Sequence, residues 1–304
     1  MRNLLSLDDL SSEELAAILD LAAQVKAKPA AYIDRLAGKQ IALLFEKPSL
    51  RTRISFEVGV TSMGGHALVV RNEEVGLDKR ESIEDVARVM SRWVDGIVMR
   101  TFGQDRIERL AEAASVPVIN ALSDFSHPCQ GISDLQTMRE KAGSLQGVSL
   151  AYVGDGNNVV HSLLYGGSKM GMDVRVATPP GFEPFPQVVE RAAEIAAAHG
   201  GSVTVTDVVA EAAVGADFLY TDVWTSMGQE ATAEERAAAL ARFQVNEQLV
   251  RLASDEVLVM HCLPAHRGEE ITADVLDGPR SIVWDQAENR LYSQMALLIW
   301  LLSN

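Results

Sequence analysis

Ser49, Arg51, Thr52 and Arg53 fall within five positions, between an apolar run at 41–45 and a helical pattern that follows. Pro48 punctuates the change from strand to helix. Two hydroxyls and two guanidinium groups therefore gather at a predicted helix N-terminus, where free N–H groups and the positive dipole end favour an anion. An arginine there adds charge-assisted bonds to phosphate or carboxylate. The plainer alternative is a capped helix start with surface arginines paired to acids.

Four other segments could do chemistry. Ser126-His127-Pro128-Cys129-Gln130 puts an imidazole and an amide at a second predicted helix start, since proline suits the first turn. A histidine there can donate to a carbonyl or phosphate oxygen, exchange a proton, or simply cap the helix. Thr221-Asp222-Val223-Trp224-Thr225-Ser226-Met227-Gly228 leaves a strand pattern with a carboxylate, hydroxyls and a glycine. Asp222 is a candidate partner for an ammonium group, or a turn cap. His261-Cys262-Leu263-Pro264 follows the apolar run 257–260. Adjacent residues of an extended chain face opposite ways, so His261 is poorly placed to activate Cys262 as a nucleophile. A thiol that orients substrate is the better reading. Gly154-Asp155-Gly156-Asn157-Asn158 also follows a strand, but Val159 stands where a dinucleotide fingerprint has its third glycine. Asn157 and Asn158 supply amides suited to a carboxylate or an amine instead. His127, His261, Cys129 and Cys262 lack metal-ligand spacing, so neither a metal nor a cofactor is expected.

Composition narrows the class. A formal net charge of −15 over 304 residues argues against an electrostatic nucleic-acid binder and makes Arg51 and Arg53 a local exception. No apolar run reaches the roughly 20 residues of a membrane span. Met1-Arg2-Asn3-Leu4-Leu5 is soon interrupted by Asp8 and Asp9, unlike a signal peptide. Two cysteines make no disulfide framework. The expectation is a cytoplasmic enzyme with neither a nucleic-acid nor a membrane partner.

Strands and helices must position these residues. After a first helix opened by Ser11-Ser12-Glu13-Glu14, strand patterns at 41–45, 66–70, 96–100 and 116–120 alternate with helical ones near 51–63, 82–93 and 104–114. The second half repeats the alternation, with strand patterns at 148–153, 173–178, 203–206, 217–221, 257–261 and 281–284. Helical patterns near 158–170, 186–198 and 231–243 intervene. The alternation predicts an α/β protein of two doubly wound parallel-sheet domains with a cleft between them. The expected spans are 1–135 and 136–304, with a last helix at about 287–302 crossing back to the first domain. Ligands in such sheets sit beyond the carboxyl ends of strands, where the segments above fall.

Together these segments resemble the transcarbamylase family, and within it the ornithine-specific branch, from the first helix to Ser303. Ser49-Leu50-Arg51-Thr52-Arg53 is similar to the family's Ser-Thr-Arg-Thr-Arg phosphate motif, and Arg100 to its strand-end arginine. His127 and Gln130 match its His-Pro-x-Gln pattern, and Arg290 its late arginine. The resemblance implies carbamoyl phosphate contacts at Ser49, Leu50, Arg51, Thr52, Arg100, His127, Gln130, Cys262, Leu263 and Arg290. It implies ornithine contacts at Asn158, Asp222, Ser226 and Met227, with Arg100, His127, Asp222 and Cys262 catalytic. The implied reaction is transfer of the carbamoyl group to the δ-amine of L-ornithine, giving L-citrulline and phosphate without a cofactor. The implied assembly is a homotrimer or a multiple of trimers. Aspartate-specific members need cations for a second substrate carboxylate, whereas here Asp222 stands beside Ser226-Met227-Gly228. Leu50 departs from the family by replacing a threonine of the phosphate motif. Gly76 departs where relatives often carry a glutamine or histidine that reaches a neighbouring subunit's phosphate, and Lys79 or Arg80 are its candidate substitutes. A dehydrogenase and a catalytically silent binding module are the competing readings.

Overall fold

Strands buried on both faces of a parallel sheet read as continuous apolar runs, and edge strands alternate. In the computed structural model both kinds occur, arranged in two separate sheets. Residues 2–302 are described; Met1, Ser303 and Asn304, the outermost positions of the expected spans, lie outside the described residues. The first sheet contains β1 (Gln40–Phe45), β2 (His66–Arg71), β3 (Gly96–Arg100) and β4 (Val118–Leu122), in spatial order β2-β1-β3-β4. The second contains β5 (Ser149–Val153), β6 (Asp173–Ala177), β7 (Ser202–Thr206), β8 (Phe218–Thr221) and β9 (Leu258–His261), in spatial order β7-β6-β5-β8-β9. Interior strands β1, β3 and β5 are buried almost throughout, while the edge strands β2 and β7 alternate.

All strand pairs are parallel, and in each sheet the winding direction reverses once. The reversal lies between β1 and β3 in the first sheet and between β5 and β8 in the second. Ligand sites of open α/β sheets form outside the strand ends at such reversals. Phe45 pairs with Arg100 at the first reversal and Tyr152 with Tyr220 at the second, so the following loops carry Ser49, Asp155 and Asp222.

The chain divides into two units, Met1–Gln136 with Asn289–Asn304, and Thr137–Glu288. Leu44, Ile97, Met99 and Ile107 lie at the centre of one apolar core in the first unit, and Val153, Leu219, Val259 and Ile271 in the second. The last helix, Val283–Leu302, contributes its second part to the first unit, as the pattern implied.

Two expectations need correction. Residues 281–284 do not form a strand. Only a single bridge, Val259↔Ser281, forms before Gln286 donates to the Ile282 carbonyl at 2.9 Å and a helix begins. The last helix therefore starts at Val283 rather than near 287. The run Ser281-Ile282-Val283-Trp284 is apolar enough for a strand, but Trp284 is 62% exposed and faces no neighbouring strand. The predicted 231–243 helix is also broken, into Ala233–Leu240 flanked by short 3-10 turns.

A network of ion pairs fixes the loop after β1. The Glu46 carboxylate accepts from Arg106 Nη2 and Nε at 2.8 and 2.9 Å and from the Thr101 hydroxyl. Arg106 also pairs with Asp78 at 2.8 Å, and Arg109 joins Asp78 to Glu84. These bonds hold the segment around Gly76 against the helix Gln104–Ala113. Arg106→Ala leaves the Glu46 side chain, 5% exposed, without its main partner. The expected loss is about 3 kcal/mol, the low end for breaking a buried pair, because Arg106 keeps partial access to water. A urea midpoint unchanged from the parent protein would contradict it.

Candidate active site

In the first unit, Ser49 is the N-cap of the helix Leu50–Ser62, its Oγ accepting the Thr52 N–H at 3.3 Å. A hydroxyl at this position satisfies one of the donors a helix start leaves unpaired. Arg51 and Thr52 stand in the first turn, with Thr52 buried. Arg100 is the last residue of β3, is buried, and pairs in register with the strand end that leads to Ser49. His127 lies just before the helix Pro128–Ala142, whose proline start matches the expectation. Arg290, from the end of the chain, donates from Nη1 to Gln130 Oε1 at 2.5 Å and from Nη2 to Thr52 Oγ1 at 3.1 Å. Gln130 in turn donates to Asp134 at 2.8 Å.

His127 sits among these cations. Burial above all, then the charges of Arg290, Arg100 and Arg51, hold its pKa well below the usual histidine range. The imidazole is therefore neutral near pH 7, suited to hydrogen bonding rather than to carrying a charge. Arg51, Thr52, Arg100, His127, Gln130 and Arg290 are thus brought together, and Ser49 belongs to the same helix start. Leu50 is 71% exposed and shares only the backbone of that start. Cys129 is buried, donates to the Asn120 carbonyl at 3.4 Å, and has its thiol pushed up to about 12 by burial, which makes it a packing residue.

In the second unit the centre is Asp222, directly after β8. Its Oδ1 accepts from Cys262 Sγ at 2.9 Å and from the Val223 N–H at 2.8 Å, and its Oδ2 accepts from Asn157 Nδ2 at 2.7 Å. Asn157 is also the N-cap of the helix Asn158–Lys169, taking the Val159 and Val160 N–H groups on its Oδ1. It thus orients both the helix start and the carboxylate, with Asn158 as the first helical residue. Ser226 and Met227 lie on the loop after Asp222, where the Ser226 N–H donates to Gln229 Oε1 at 3.0 Å and Met227 is 42% exposed.

The ring of His261 is engaged elsewhere: its Nδ1 accepts the Leu263 N–H at 2.8 Å and its Nε2 meets Glu270 at 2.9 Å. Donor atoms of Asp222, His261 and Cys262 do fall within 4.8 Å of one another, a grouping that linear spacing did not reveal. Those atoms are engaged with each other and with Leu263 and Glu270.

Arg236 is a further member of the second unit's site region. Its guanidinium donates to the Trp224 carbonyl at 2.6 Å, pairs with Asp155, and lies 5.0 Å from the Phe182 ring centroid. Burial pushes the Asp155 carboxyl up to about 6, with Arg236 opposing the shift and Asp222 adding to it. No local sequence signal marked Arg236, because it lies on a helix 81 residues from its carboxylate partner. Asn157 was visible as one of two adjacent amides, but only the fold distinguishes the capping one from the helical one.

Two family models match successive parts of the chain. The model described as "Aspartate/ornithine carbamoyltransferase, carbamoyl-P binding domain" matches residues 2–140, and "Aspartate/ornithine carbamoyltransferase, Asp/Orn binding domain" matches 146–301. A curated relative from Parafrankia sp. (strain EAN1pec), named ornithine carbamoyltransferase, is 57% identical over 299 residues, covering 97% of this chain and 94% of its own. The solved ornithine carbamoyltransferase from Pyrococcus furiosus is similar at a TM-score of 0.97 and 50% identity, covering 100% of this chain and 97% of its own. That from Gloeobacter violaceus is similar at a TM-score of 0.91 and 48% identity, covering 99% of each chain.

The neutral state of His127 has a pH consequence. An unfolded histidine titrates near pH 6.5, whereas folded His127 resists protonation well below that value. As pH falls below 6.5 the unfolded chain takes up this proton and the folded chain does not, so stability is lost toward acid. His127→Gln removes that contribution and flattens the decline between pH 6.5 and 5 by up to about 1.4 kcal/mol per pH unit. Urea unfolding at several pH values measures it; parallel slopes for both proteins would show that His127 is not held neutral.

Proposed function

The chain belongs to the aspartate/ornithine carbamoyltransferase family, and from that premise we propose that it carbamoylates L-ornithine from carbamoyl phosphate, releasing L-citrulline and phosphate. Residues 1–135 are assigned to carbamoyl phosphate and 136–304 to ornithine, with the last helix returning to the first domain. The δ-amine nitrogen attacks the carbonyl carbon, a C–N bond forms, and the C–O bond to phosphate breaks. Ser49, the backbone at Leu50, Arg51, Thr52 and Arg100 hold the phosphate as charge builds on it, with Gln130 and Arg290 behind them. His127, Arg100 and the backbone at Cys262 and Leu263 polarise the carbonyl oxygen; each such donor is typically worth about 10²–10³ in turnover. Asn158 and the backbone near Met227 grip the α-carboxylate, and Asp222 and Ser226 face the amines. Holding the two substrates in line supplies the entropic part of the acceleration.

One observation carries the choice of ornithine. Asp222, 5% exposed, has its carboxylate between the Cys262 thiol and the Asn157 amide, at the start of the loop that carries Ser226 and Met227. A buried carboxylate is suited to a cationic amine and repels the second carboxylate of aspartate.

The proposed assembly is a homotrimer or a multiple of trimers, at work in the cytoplasm. Leu50, Ile54 and Val58 support a subunit contact: they repeat every four residues on one helix and are 71%, 49% and 43% exposed. None of the described helices is long and apolar enough to cross a membrane. Lys79 and Arg80, both exposed, remain the proposed substitutes for the cross-subunit side chain that Gly76 lacks.

The deciding assay offers carbamoyl phosphate with ornithine, putrescine, N-acetylornithine or aspartate in parallel. Citrulline formed selectively from ornithine is expected. Turnover with a different amine would overturn the role given to Asp222, and turnover with none would leave a binding module. Asp222→Asn should raise the KM for ornithine about 10–100-fold while changing that for carbamoyl phosphate little, as losing a charge-assisted bond predicts. Only about 0.1% or less of a primary amine with a pKa of roughly 10.4 is neutral at pH 7. The rate should therefore climb between pH 6 and 9, and a flat profile would exclude rate-limiting attack by the free amine.

A further inference from the structure

Leu263 and Asp78 are the two non-glycine residues with positive φ among the described residues, both at +59°. A branched L side chain rarely adopts this left-handed conformation, so something must hold Leu263 there. The holder is His261. Its Nδ1 accepts the Leu263 N–H at 2.8 Å, closing a turn two residues long in the way an asparagine side chain does. Because Nδ1 is the acceptor, the ring hydrogen lies on Nε2, which donates to Glu270 Oε1 at 2.9 Å. The same oxygen accepts the His266 N–H at 2.7 Å, and the His261 N–H donates to Gln286 Oε1 at 2.9 Å. The His261 and Glu270 side chains are both 0% exposed. Burial alone would raise the Glu270 pKa, but the bonds from His261 and the His266 N–H outweigh it and keep the carboxyl below its usual range.

We propose that His261, oriented by Glu270, is a positioning residue that holds Leu263 in its left-handed conformation and so sets the Cys262–Leu263 segment for carbamoyl transfer. The inference rests on the carbamoyl-transfer reading of this site. A carboxylate that fixes a histidine tautomer through one ring nitrogen frees the other for a defined task, as in the outer partners of metal-bound histidines. Here the task is to accept a backbone N–H one residue beyond the thiol that meets Asp222 at 2.9 Å. Relaxing Leu263 toward negative φ would re-aim both its own peptide group and the Cys262 side chain. Displacements near 1 Å at a reacting centre cost about 10²-fold in rate.

Two substitutions separate the two ring nitrogens. His261→Asn keeps an acceptor near the Nδ1 position and can close the same turn to Leu263, but cannot reach Glu270. His261→Gln keeps an N–H donor for Glu270 and loses the acceptor for Leu263. Citrulline formation by the parent protein is measured first, and its absence would overturn the carbamoyl-transfer reading itself. Given that activity, His261→Gln should lower kcat about 100-fold with the KM for ornithine changed less than about threefold, while His261→Asn stays within about tenfold of the parent. Equal kcat for the two variants, or kcat losses that merely follow the loss of thermal stability, would overturn the proposal. A second measurement needs no change at His261. Nitrogen NMR of the protein labelled at its six histidines should show one ring, the one perturbed by Glu270→Gln, protonated at Nε2 and bare at Nδ1. A ring protonated at Nδ1 would refute the assignment, because it could not accept from Leu263.

Discussion

Arg290 joins parts of the first unit that the chain keeps far apart, bonding to residues 160 and 238 positions earlier in the sequence. A guanidinium that is 4% exposed must have its donors met, or its burial costs several kcal/mol. Gln130 takes the Nη1 donor and Thr52 the Nη2 donor, and in doing so they lock the first turns of two helices whose N-terminal ends carry positive potential. Arg51 and Arg100 add charge to the same place, as their influence on His127 shows. The unit thus holds fixed donors that need little rearrangement when an anion arrives, the condition under which electrostatic stabilisation is most effective. The neutral state of His127 follows first from its burial and then from the charges of the same cluster.

The second unit inverts the sign. Its reversal point places Asp155 and Asp222 after β5 and β8, where burial first and then Asp222 raise the cost of charge on Asp155. Asp155 has Arg236 as its counter-ion, whereas Asp222 is held by the thiol of Cys262 and the amide of Asn157. Neither of these partners carries a positive charge, so Asp222 retains attraction for a cation. The loop bearing Ser226 and Met227 hangs on the Arg236 bond to the Trp224 carbonyl, on Gln229, and on little regular structure. On the proposed reading, selectivity falls on a segment that Arg236 and Gln229 hold and that can vary without disturbing the sheet.

Much of this was legible from local pattern. The buried strands, the Ser49 cap, the proline start after His127 and the strand-end position of Arg100 each follow from residue types within a few positions. The winding of the sheets followed from alternation alone. Residues 281–284 misled because a β-branched run states a preference but not a neighbour: one bridge formed and the helix took over. Arg236, Asn157 and the His261–Glu270 pair escaped for a different reason. Their roles lie in bonds to residues distant in sequence or in which ring nitrogen faces which group, and neither property has a period or a spacing. The site was readable as types of residue, and its second layer only as geometry.

That second layer bears on where protons go. Attack by the δ-amine leaves a proton to be lost from nitrogen, and a general base is the usual recipient. His127 is ill suited, because burial first, and then Arg290, Arg100 and Arg51, oppose a positive charge on its ring. His261 has its Nδ1 lone pair occupied by the Leu263 N–H, so it is equally unavailable. The departing phosphate, by contrast, gains basic oxygens as the bond to carbon breaks, and it is the group that the proposed function assigns to the cationic cluster. On the carbamoyl-transfer reading the leaving group is therefore a proton acceptor in a place where neither histidine is one. On that reading the chain supplies groups of opposite sign for two substrates, together with a backbone held in shape by buried polar groups.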